Sequence, residues 1–251
     1  SVLTNEGKQL TGDSLFYDRN LSFGEAFYDV IFTDTVNKNM LTGNYCHYNE
    51  LTKYAVATDS AVAVDYSQGD SLFLHGDTLQ LFTFFLDTDS MYRETRAYHK
   101  VRFFRTDVQG VCDSLVFSTK DSCLTMYRDP ILWNGNQQLL GEEVMVYMND
   151  STIDWAHIHN QTLSVEKLDS VNYNQVTGKD MKAYFTNGEM HRVDVIGSVR
   201  VIYYPMEKDS TLMGMNVMEG GELNMYLENR KLTRGVMFPQ PKGTFYPMDQ
   251  L

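Results

Sequence analysis

Two histidines separated by one residue are the first candidate for chemistry in this sequence. On a β-strand, His157 and His159 would present their imidazoles on one face, as the first two ligands of a metal site do. The sequence places no third ligand beside them. We therefore interpret them as polar surface histidines, and we predict no metal and no cofactor.

Carboxylates are the second candidate. Asp87 and Asp89, with several Gly-Asp steps, are similar to calcium loops, but no Gly-rich nonapeptide repeat or twelve-residue loop ending in Glu accompanies them. The Asp and Glu residues are spread through predicted turns, so no pair suited to glycoside cleavage is singled out. Nucleophile elbows, phosphate-binding loops and dinucleotide fingerprints are absent from the sequence. The sequence therefore predicts no catalytic residue and no enzyme activity.

The three cysteines leave two interpretations open. Their odd number excludes a fully paired disulfide framework, and no C-x-x-C spacing for zinc or redox chemistry occurs. Cys112 and Cys123 could face each other across a hairpin and form a disulfide. Alternatively, all three cysteines, including Cys46, are small residues that fill strand positions.

Composition and charge limit the class of protein. The chain has 251 residues, of which 43% are hydrophobic, enough for a continuous core. A net charge of -12 argues against binding to nucleic acid or docking on an anionic membrane through a basic patch. No run approaches the ~18 apolar residues of a membrane-spanning helix. The first six residues lack the charged and apolar regions of a signal peptide, so we expect none within this sequence.

The sequence contains an internal repeat, and this repeat predicts the secondary-structure elements on which any functional site would lie. Each copy has a hydrophobic residue, one further position, Gly, often an acidic residue, and then alternating apolar positions. Clear copies occupy residues 10–17, 41–48 and 74–81. Degenerate copies surround Gly110, Gly141, Gly178 and Gly220. Copies that recur along the chain in this way predict structural units, each of which buries its apolar face only by stacking on its neighbours.

Each unit of the repeat predicts two strands. In the first, apolar residues follow the Gly by three and five positions and share one face. The second strand has a polar residue followed by apolar, any and apolar residues, as in residues 29–32, 60–63, 100–103 and 198–201. We predict roughly fifteen short strands and no long amphipathic helix. We expect two facing sheets, with the Gly at the bend between them.

Two places depart from this pattern. After Gly110, the apolar positions are Leu115 and Phe117, which lie later than three and five residues from the Gly. The interval from Gly141 to Gly178 is longer than one plain unit. Both departures concern the local register, so the predicted architecture is kept.

The repeated Leu-Thr-Gly-Asp-x-Leu-x-Tyr step and the strand that follows it resemble the LptA/OstA-like family. Residues 129–133 and 176–185 contribute to the resemblance, which covers nearly the whole chain and is greatest to the long members in Bacteroidetes-type bacteria. These are periplasmic lipopolysaccharide-transport proteins with the organic-solvent-tolerance domain. The resemblance implies an all-β fold, an antiparallel β-jellyroll or β-taco in which strands stack into an open V. It brings no catalytic residues.

The same resemblance implies an apolar groove that holds the acyl chains of lipid A. We expect about half of the apolar stripe to be packed core rather than groove. The predicted groove-lining residues are Leu15, Tyr17, Val30, Phe32, Tyr48, Ala61, Ala63, Leu79, Leu81, Val101, Phe103, Leu132, Val144, Val146, Met181, Val199, Val201, Leu223 and Met225. Lipid phosphates would stay in solvent or meet local cations such as Lys100, Arg102 and Arg105.

We thus expect a non-enzymatic lipopolysaccharide-binding bridge between inner and outer membranes, periplasmic after removal of a signal peptide. Its partners would be lipopolysaccharide and like β-jellyroll proteins, or copies of itself, joined by strand edges. We expect one repetitive domain over residues 1–235 and a Pro-rich extended tail over 236–251. Two alternatives stay open: a structural or adhesive β-solenoid without lipid cargo, and a parallel β-helix polysaccharide lyase or hydrolase with a carboxylate cluster on its outer face.

Overall fold

Strands make up nearly all of the regular structure in the computed structural model. It describes residues 1–5, 7–67, 70–106, 108–149, 152–207, 209, 211–229 and 231–251. The chain divides into two compact units, unit 1 (Ser1–Arg128) and unit 2 (Asp129–Leu251). No linker-like composition marks this division in the sequence.

Unit 1 contains ten strands, which follow one another in antiparallel order. They are β1 (Val2–Asn5), β2 (Lys8–Thr11), β3 (Ser14–Asp18), β4 (Phe23–Asp34), β5 (Asn39–Asn49), β6 (Tyr54–Asp65), β7 (Leu72–Phe84), β8 (Tyr92–Phe104), β9 (Gln109–Ser118) and β10 (Cys123–Tyr127). β1 pairs with β2, and β2 and β3 lie end to end along β4. From β4 to β10 each strand pairs with the next.

Unit 2 repeats this plan with nine strands. They are β11 (Ile131–Asn134), β12 (Gln137–Leu140), β13 (Glu143–Asn149), β14 (Thr152–Lys167), β15 (Tyr173–Thr186), β16 (Glu189–Tyr203), β17 (Gly214–Glu228), β18 (Lys231–Phe238) and β19 (Lys242–Pro247). β11 pairs with β12; β12 and β13 share β14, and β18 and β19 share β17. A 3₁₀ helix (Met248–Gln250) follows β19.

All of these strand pairs are antiparallel, so the predicted all-β, antiparallel, jellyroll-like fold class is confirmed. The parallel coils required by the polysaccharide-lyase alternative do not occur among the described strand pairs, and that prediction of architecture was wrong. Within the described ranges, no helix has the length and apolar character needed to cross a membrane.

Sharp corners divide the long strands into two halves. At each corner two successive residues have φ between 41° and 86°, a conformation that β-branched side chains adopt only with strain. The corner pairs are Tyr28-Asp29, Asp59-Ser60, His99-Lys100, Asn160-Gln161 and Gly197-Ser198. None of these residues is β-branched. The polar residue predicted to start each second strand is the second residue of its corner.

The repeat glycines lie opposite these corners. The register shifts at Gly43, Gly76 and Gly178, where the neighbouring strand has its corner pair. A Cβ on Gly178 would lie 2.5 Å from Val195 Cγ1, and one on Gly76 would lie 3.4 Å from Leu79 Cδ2. In a straight strand, residues three apart point to opposite faces, so the approach of Gly76 to Leu79 is possible only because the strand bends. The predicted bend at the glycine is therefore present.

The displaced fourth copy has a simple explanation in the register. Val101 pairs with Cys112 and Tyr98 with Ser114, as Ala61 pairs with Gly76 and Thr58 with Thr78 one repeat earlier. Cys112 thus occupies the corner-glycine position, and Gly110 lies two residues before it. Counted from Cys112, the apolar residues Leu115 and Phe117 return to the third and fifth positions.

The strands differ from the expectation in number and length. Nineteen strands are described rather than roughly fifteen. Many are longer than predicted, and β14 alone has 16 residues, because long strands continue through their corners. Within the predicted Pro-rich extended tail, β19 pairs with β17 from Lys242 to Pro247.

Candidate functional site

The inner face of the sheet is defined here by the residues two before and one after each corner pair. They are Ala26 and Val30, Ala57 and Ala61, Ala97 and Val101, Ile158 and Thr162, and Val195 and Val199, none more than 2% exposed. Such complete burial on both sides of a corner requires that the two halves of each strand cover one another. The corners therefore close one end of an apolar layer in each unit.

In unit 1 this layer opens away from the corners. The row next to the corners, which crosses the strands through Ala57, Leu79 and Ala97, is 0–5% exposed. Two residues further out on the same face, Tyr17 and Tyr48 are 46% and 40% exposed. Leu81 and Phe117 in that outer row are half-buried. The inner face of unit 1 is thus an apolar groove with a closed floor and an open mouth.

In unit 2 the same layer is buried further out. The row next to the corners contains Ile158, Met181 and Val195, 0–3% exposed and paired across neighbouring strands. Two residues further out on the same face, Ala183 and Val193 are still only 4% exposed. The interior of unit 2 is therefore a packed core to a greater depth than that of unit 1.

The structure divides the nineteen predicted groove residues almost evenly. Nine are buried: Val30, Ala61, Leu79, Val101, Val144, Met181, Val199, Val201 and Leu223. Eight are half-buried: Leu15, Phe32, Ala63, Leu81, Phe103, Leu132, Val146 and Met225. Tyr17 and Tyr48 are exposed. The role of these residues in lining a lipid groove stays a prediction.

Sequence reasoning missed the floor of the groove. Ala26, Ala57 and Ala97 occupy equivalent places in β4, β6 and β8, two residues before the corner pairs. Their pairing with Cys46, Leu79 and Leu115 makes one continuous inner row. The signal that could have found them is a small apolar residue three positions before each predicted polar strand start.

Of the cations suggested for lipid phosphates, Lys100 and Arg102 do not line the groove, and Arg105 lies just beyond the end of β8. Lys100 belongs to a corner pair and lies 3.6 Å from Asp77 in an ion pair. Arg102 lies on the strand position next to the buried Val101, so it faces the opposite side of the sheet and is exposed. At the outer end of the inner face stands Asp34, 4% exposed. Hydrogen bonds from Asn37, opposed in part by burial, lower the pKa of this carboxyl. The groove of unit 1 therefore offers apolar contacts rather than a phosphate clamp.

All three cysteines are free thiols. In the hairpin of β9 and β10, Cys123 pairs with Ser118 and not with Cys112, so the register does not support the disulfide. Burial raises the pKa of Cys112 to about 12 and that of Cys46 to about 11. These thiols act as small apolar residues of the inner face.

The outer face of unit 1 carries a ladder of aromatic rings. Ring centroids lie 4.8–5.4 Å apart along the contacts Phe23–His47, His47–Tyr54, Tyr54–Phe82 and Phe84–Tyr92. The Arg96 guanidinium lies 4.5 Å from the centre of the Phe82 ring. Such cross-strand pairs stabilise neighbouring strands by their own packing.

The outer face of unit 2 carries aromatic rings, among them Trp155 stacked on Tyr147, and beside them a polar cluster. His157 and His159 lie on β14, and Asp180 lies on β15 opposite His159. Nε2 of His157 is 3.3 Å from Asp180 Oδ1, and His159 Nδ1 contacts the same oxygen. Burial raises the pKa of Asp180, but hydrogen bonds from the two histidines outweigh burial and lower it overall. The structure thus supplies the third group that the sequence did not place.

A shallow groove of about 690 Å³ follows the corners of unit 2. Glu142, Asn160 and Gln161 lie in it, and both amides donate hydrogen bonds to the Glu142 carboxylate. These contacts stabilise the corner.

Comparison with solved structures finds a partial similarity. The crystal structure of LptH from Pseudomonas aeruginosa, the LptA-homologous periplasmic component of the lipopolysaccharide transport device, is 15% identical, with a TM-score of 0.39. The similarity covers 48% of this chain and 82% of LptH. No protein-family model and no curated protein matches the sequence.

Proposed function

We propose that this chain is a lipid-binding transport protein that shields the acyl chains of lipopolysaccharide in the periplasm. The observation that carries the proposal is the exposure gradient in unit 1, from an Ala-rich floor that is closed to Tyr17 and Tyr48 at an open mouth. An apolar surface that is concave and open at one side suits a long hydrocarbon chain.

The chemistry of the groove determines which part of the lipid it would hold. Each methylene that leaves water contributes about 0.8 kcal/mol, so a partly covered acyl chain gains several kcal/mol. On the inner face of unit 1, the cations Lys8 and Arg93 lie near the outer end, where Lys8 Nζ is 4.0 Å from Asp34 Oδ2, and the chain has a net charge of -12. Binding would therefore act on the acyl chains, with the anionic headgroup left in water.

Displacement of a fluorescent acyl-chain probe by lipopolysaccharide tests this proposal on the whole chain. The variant Tyr17→Glu/Tyr48→Glu places two carboxylates at the mouth, where desolvating a charge opposes entry of an acyl chain. We expect its affinity for lipopolysaccharide to fall at least about tenfold. Both tyrosines are exposed, so the variant should fold.

The control is Tyr28→Glu, which puts one carboxylate on the 66% exposed tyrosine of a corner pair and is compared with each of the single variants Tyr17→Glu and Tyr48→Glu. It should bind as the unmodified protein does. Absence of lipopolysaccharide binding by the unmodified protein at tens of micromolar would refute the carrier function, and equal loss in Tyr28→Glu would refute the groove as its site.

The second candidate function is a structural β-solenoid without lipid cargo. The packed interior of unit 2, where Ala183 and Val193 are only 4% exposed away from the corners, favours it. Under this alternative neither unit binds the probe. The displacement assay therefore separates the two functions directly.

Strand edges would supply the protein partners. β1 pairs with β2 alone among the described strand pairs, and it exposes Val2 (59%) and Leu3 (54%). β19 likewise exposes Phe245 (47%) and Tyr246 (39%). Unpaired backbone beside exposed apolar side chains favours addition of a strand from a like chain. Leu3→Pro should reduce any concentration-dependent assembly seen by analytical ultracentrifugation, and unchanged assembly would exclude β1 as the edge used.

A further inference from the structure

Three metal-ligating side chains meet on the outer face of unit 2, away from the groove. His157 and His159 come from β14 and Asp180 from the neighbouring β15, and their donor atoms all lie within 4.8 Å of one another. Among the described residues, this group alone brings together three donors of the His, Cys, Asp and Glu types. The side chains are 18%, 43% and 20% exposed, so an ion could reach them from solvent.

The spacing of the donors fits a small tetrahedral ion. Zinc bound at about 2.0–2.2 Å separates its ligand atoms by about 3.4 Å. The His157 Nε2–Asp180 Oδ1 separation is 3.3 Å. His159 Nδ1 contacts the same Asp180 oxygen, and an ion between them would replace that contact.

The strand geometry holds the donors on one face. The pairs His159↔Asp180 and His157↔Lys182 place them in register, and the two histidines are alternate residues of one strand. Trp155 stacks on Tyr147 at 4.1 Å, and its ring lies 6.4 Å from the His157 ring, which restricts the imidazole. A site assembled on two paired strands loses little freedom when it binds an ion.

We propose that His157, His159 and Asp180 form a Zn²⁺ site with an open fourth position. Two imidazoles and a carboxylate are ligands that zinc accepts, and three protein ligands leave one place for water or an exchangeable group. Glu143 on β13, directly opposite His159, is the nearest further carboxylate by register. Zinc binding would be independent of lipid binding, since the ligands belong to the opposite face of the sheet.

Isothermal titration of the metal-free whole chain with Zn²⁺ tests the site. We expect one ion per chain, with affinity at least about tenfold lower in Asp180→Asn and lost in His157→Gln/His159→Gln. Zinc should also raise the thermal unfolding midpoint of the unmodified protein but not that of the double variant. Far-UV circular dichroism establishes that the variants are folded.

The matched control is His191→Gln, which removes an exposed histidine of β16 that contacts Thr186 and lies outside the group. Its zinc affinity should equal that of the unmodified protein. Failure of the unmodified protein to bind zinc at about 100 µM, or equal binding by the double variant, would overturn the proposal.

Discussion

Units 1 and 2 share the same corner but differ in the residues beside it. In unit 1 the positions before the corners are Ala26, Ala57 and Ala97; in unit 2 they are Ile158 and Val195. Both rows are covered, but the next row outward reaches exposed Tyr17 and Tyr48 in unit 1, whereas it is still buried at Ala183 and Val193 in unit 2. One backbone plan therefore supports a groove in one unit and a packed core in the other.

The outer faces share aromatic rings but differ in the polar groups beside them. Unit 1 has the ladder that includes Tyr54 and Phe82, and unit 2 has the stack of Tyr147 and Trp155. Among the described residues, unit 2 alone adds the cluster of two histidines and Asp180.

The largest expected effect comes from removing core volume. Ile158→Ala should lower the free energy of unfolding by about 2–5 kcal/mol, because Ile158 is 1% exposed and leaves a cavity. Leu81→Ala in the half-buried outer row of unit 1 should cost less than about 2 kcal/mol. Urea unfolding measures both variants. Equal losses would show that unit 1 is closed as deeply as unit 2.

A smaller effect is expected from adding a methyl group at the corners. Gly178→Ala places its Cβ 2.5 Å from Val195 Cγ1, a buried and rotationally restricted group, and should cost about 1–3 kcal/mol. Gly76→Ala meets Leu79 at 3.4 Å and should cost under about 1 kcal/mol. The same unfolding measurement compares them. A larger loss in the free energy of unfolding for Gly76→Ala than for Gly178→Ala would contradict the looser packing of unit 1.

The smallest expected effect is a difference in alkaline stability. Burial raises the pKa of Cys46 from 9.0 to about 11, and burial with the hydrogen bond to Glu25 raises that of Tyr45 from 10.0 to about 12. Folding favours the neutral forms, so their contribution is complete below pH 9 and is lost as the pH rises through these values. Both groups belong to unit 1. The shifted acids of unit 2, such as Asp180, have lowered pKa values.

The two tryptophans make this difference measurable. Trp133 and Trp155 both belong to unit 2, so their fluorescence follows its unfolding, whereas far-UV circular dichroism follows both units. Between about pH 8 and about pH 10.5, the dichroism midpoint in urea should fall more than the fluorescence midpoint. Cys46→Ala should reduce the gap. An equal fall of the dichroism and fluorescence midpoints would contradict the prediction that unit 1 loses more stability at high pH than unit 2.

Much of the architecture could be predicted because it depends on local pattern. Alternation of apolar residues predicted the strands, and Gly76 and Gly178 predicted the bends, since both signals lie within a few residues of the effect. The features that the sequence did not predict depend on which strands pair with each other. Cys112 took the glycine position through a pairing that the chain order hides, and β19 became a paired strand because β17 had an unpaired edge.

The candidate sites show the same division. His157 and His159 were visible as a pair, but Asp180 is 21 residues away from His159 and meets it only through the β14–β15 register. The sequence by itself determined which residues are apolar, where the chain bends and that the chain is all-β. Only the tertiary structure decided which apolar residues are covered, because burial depends on what the other half of each strand places opposite them.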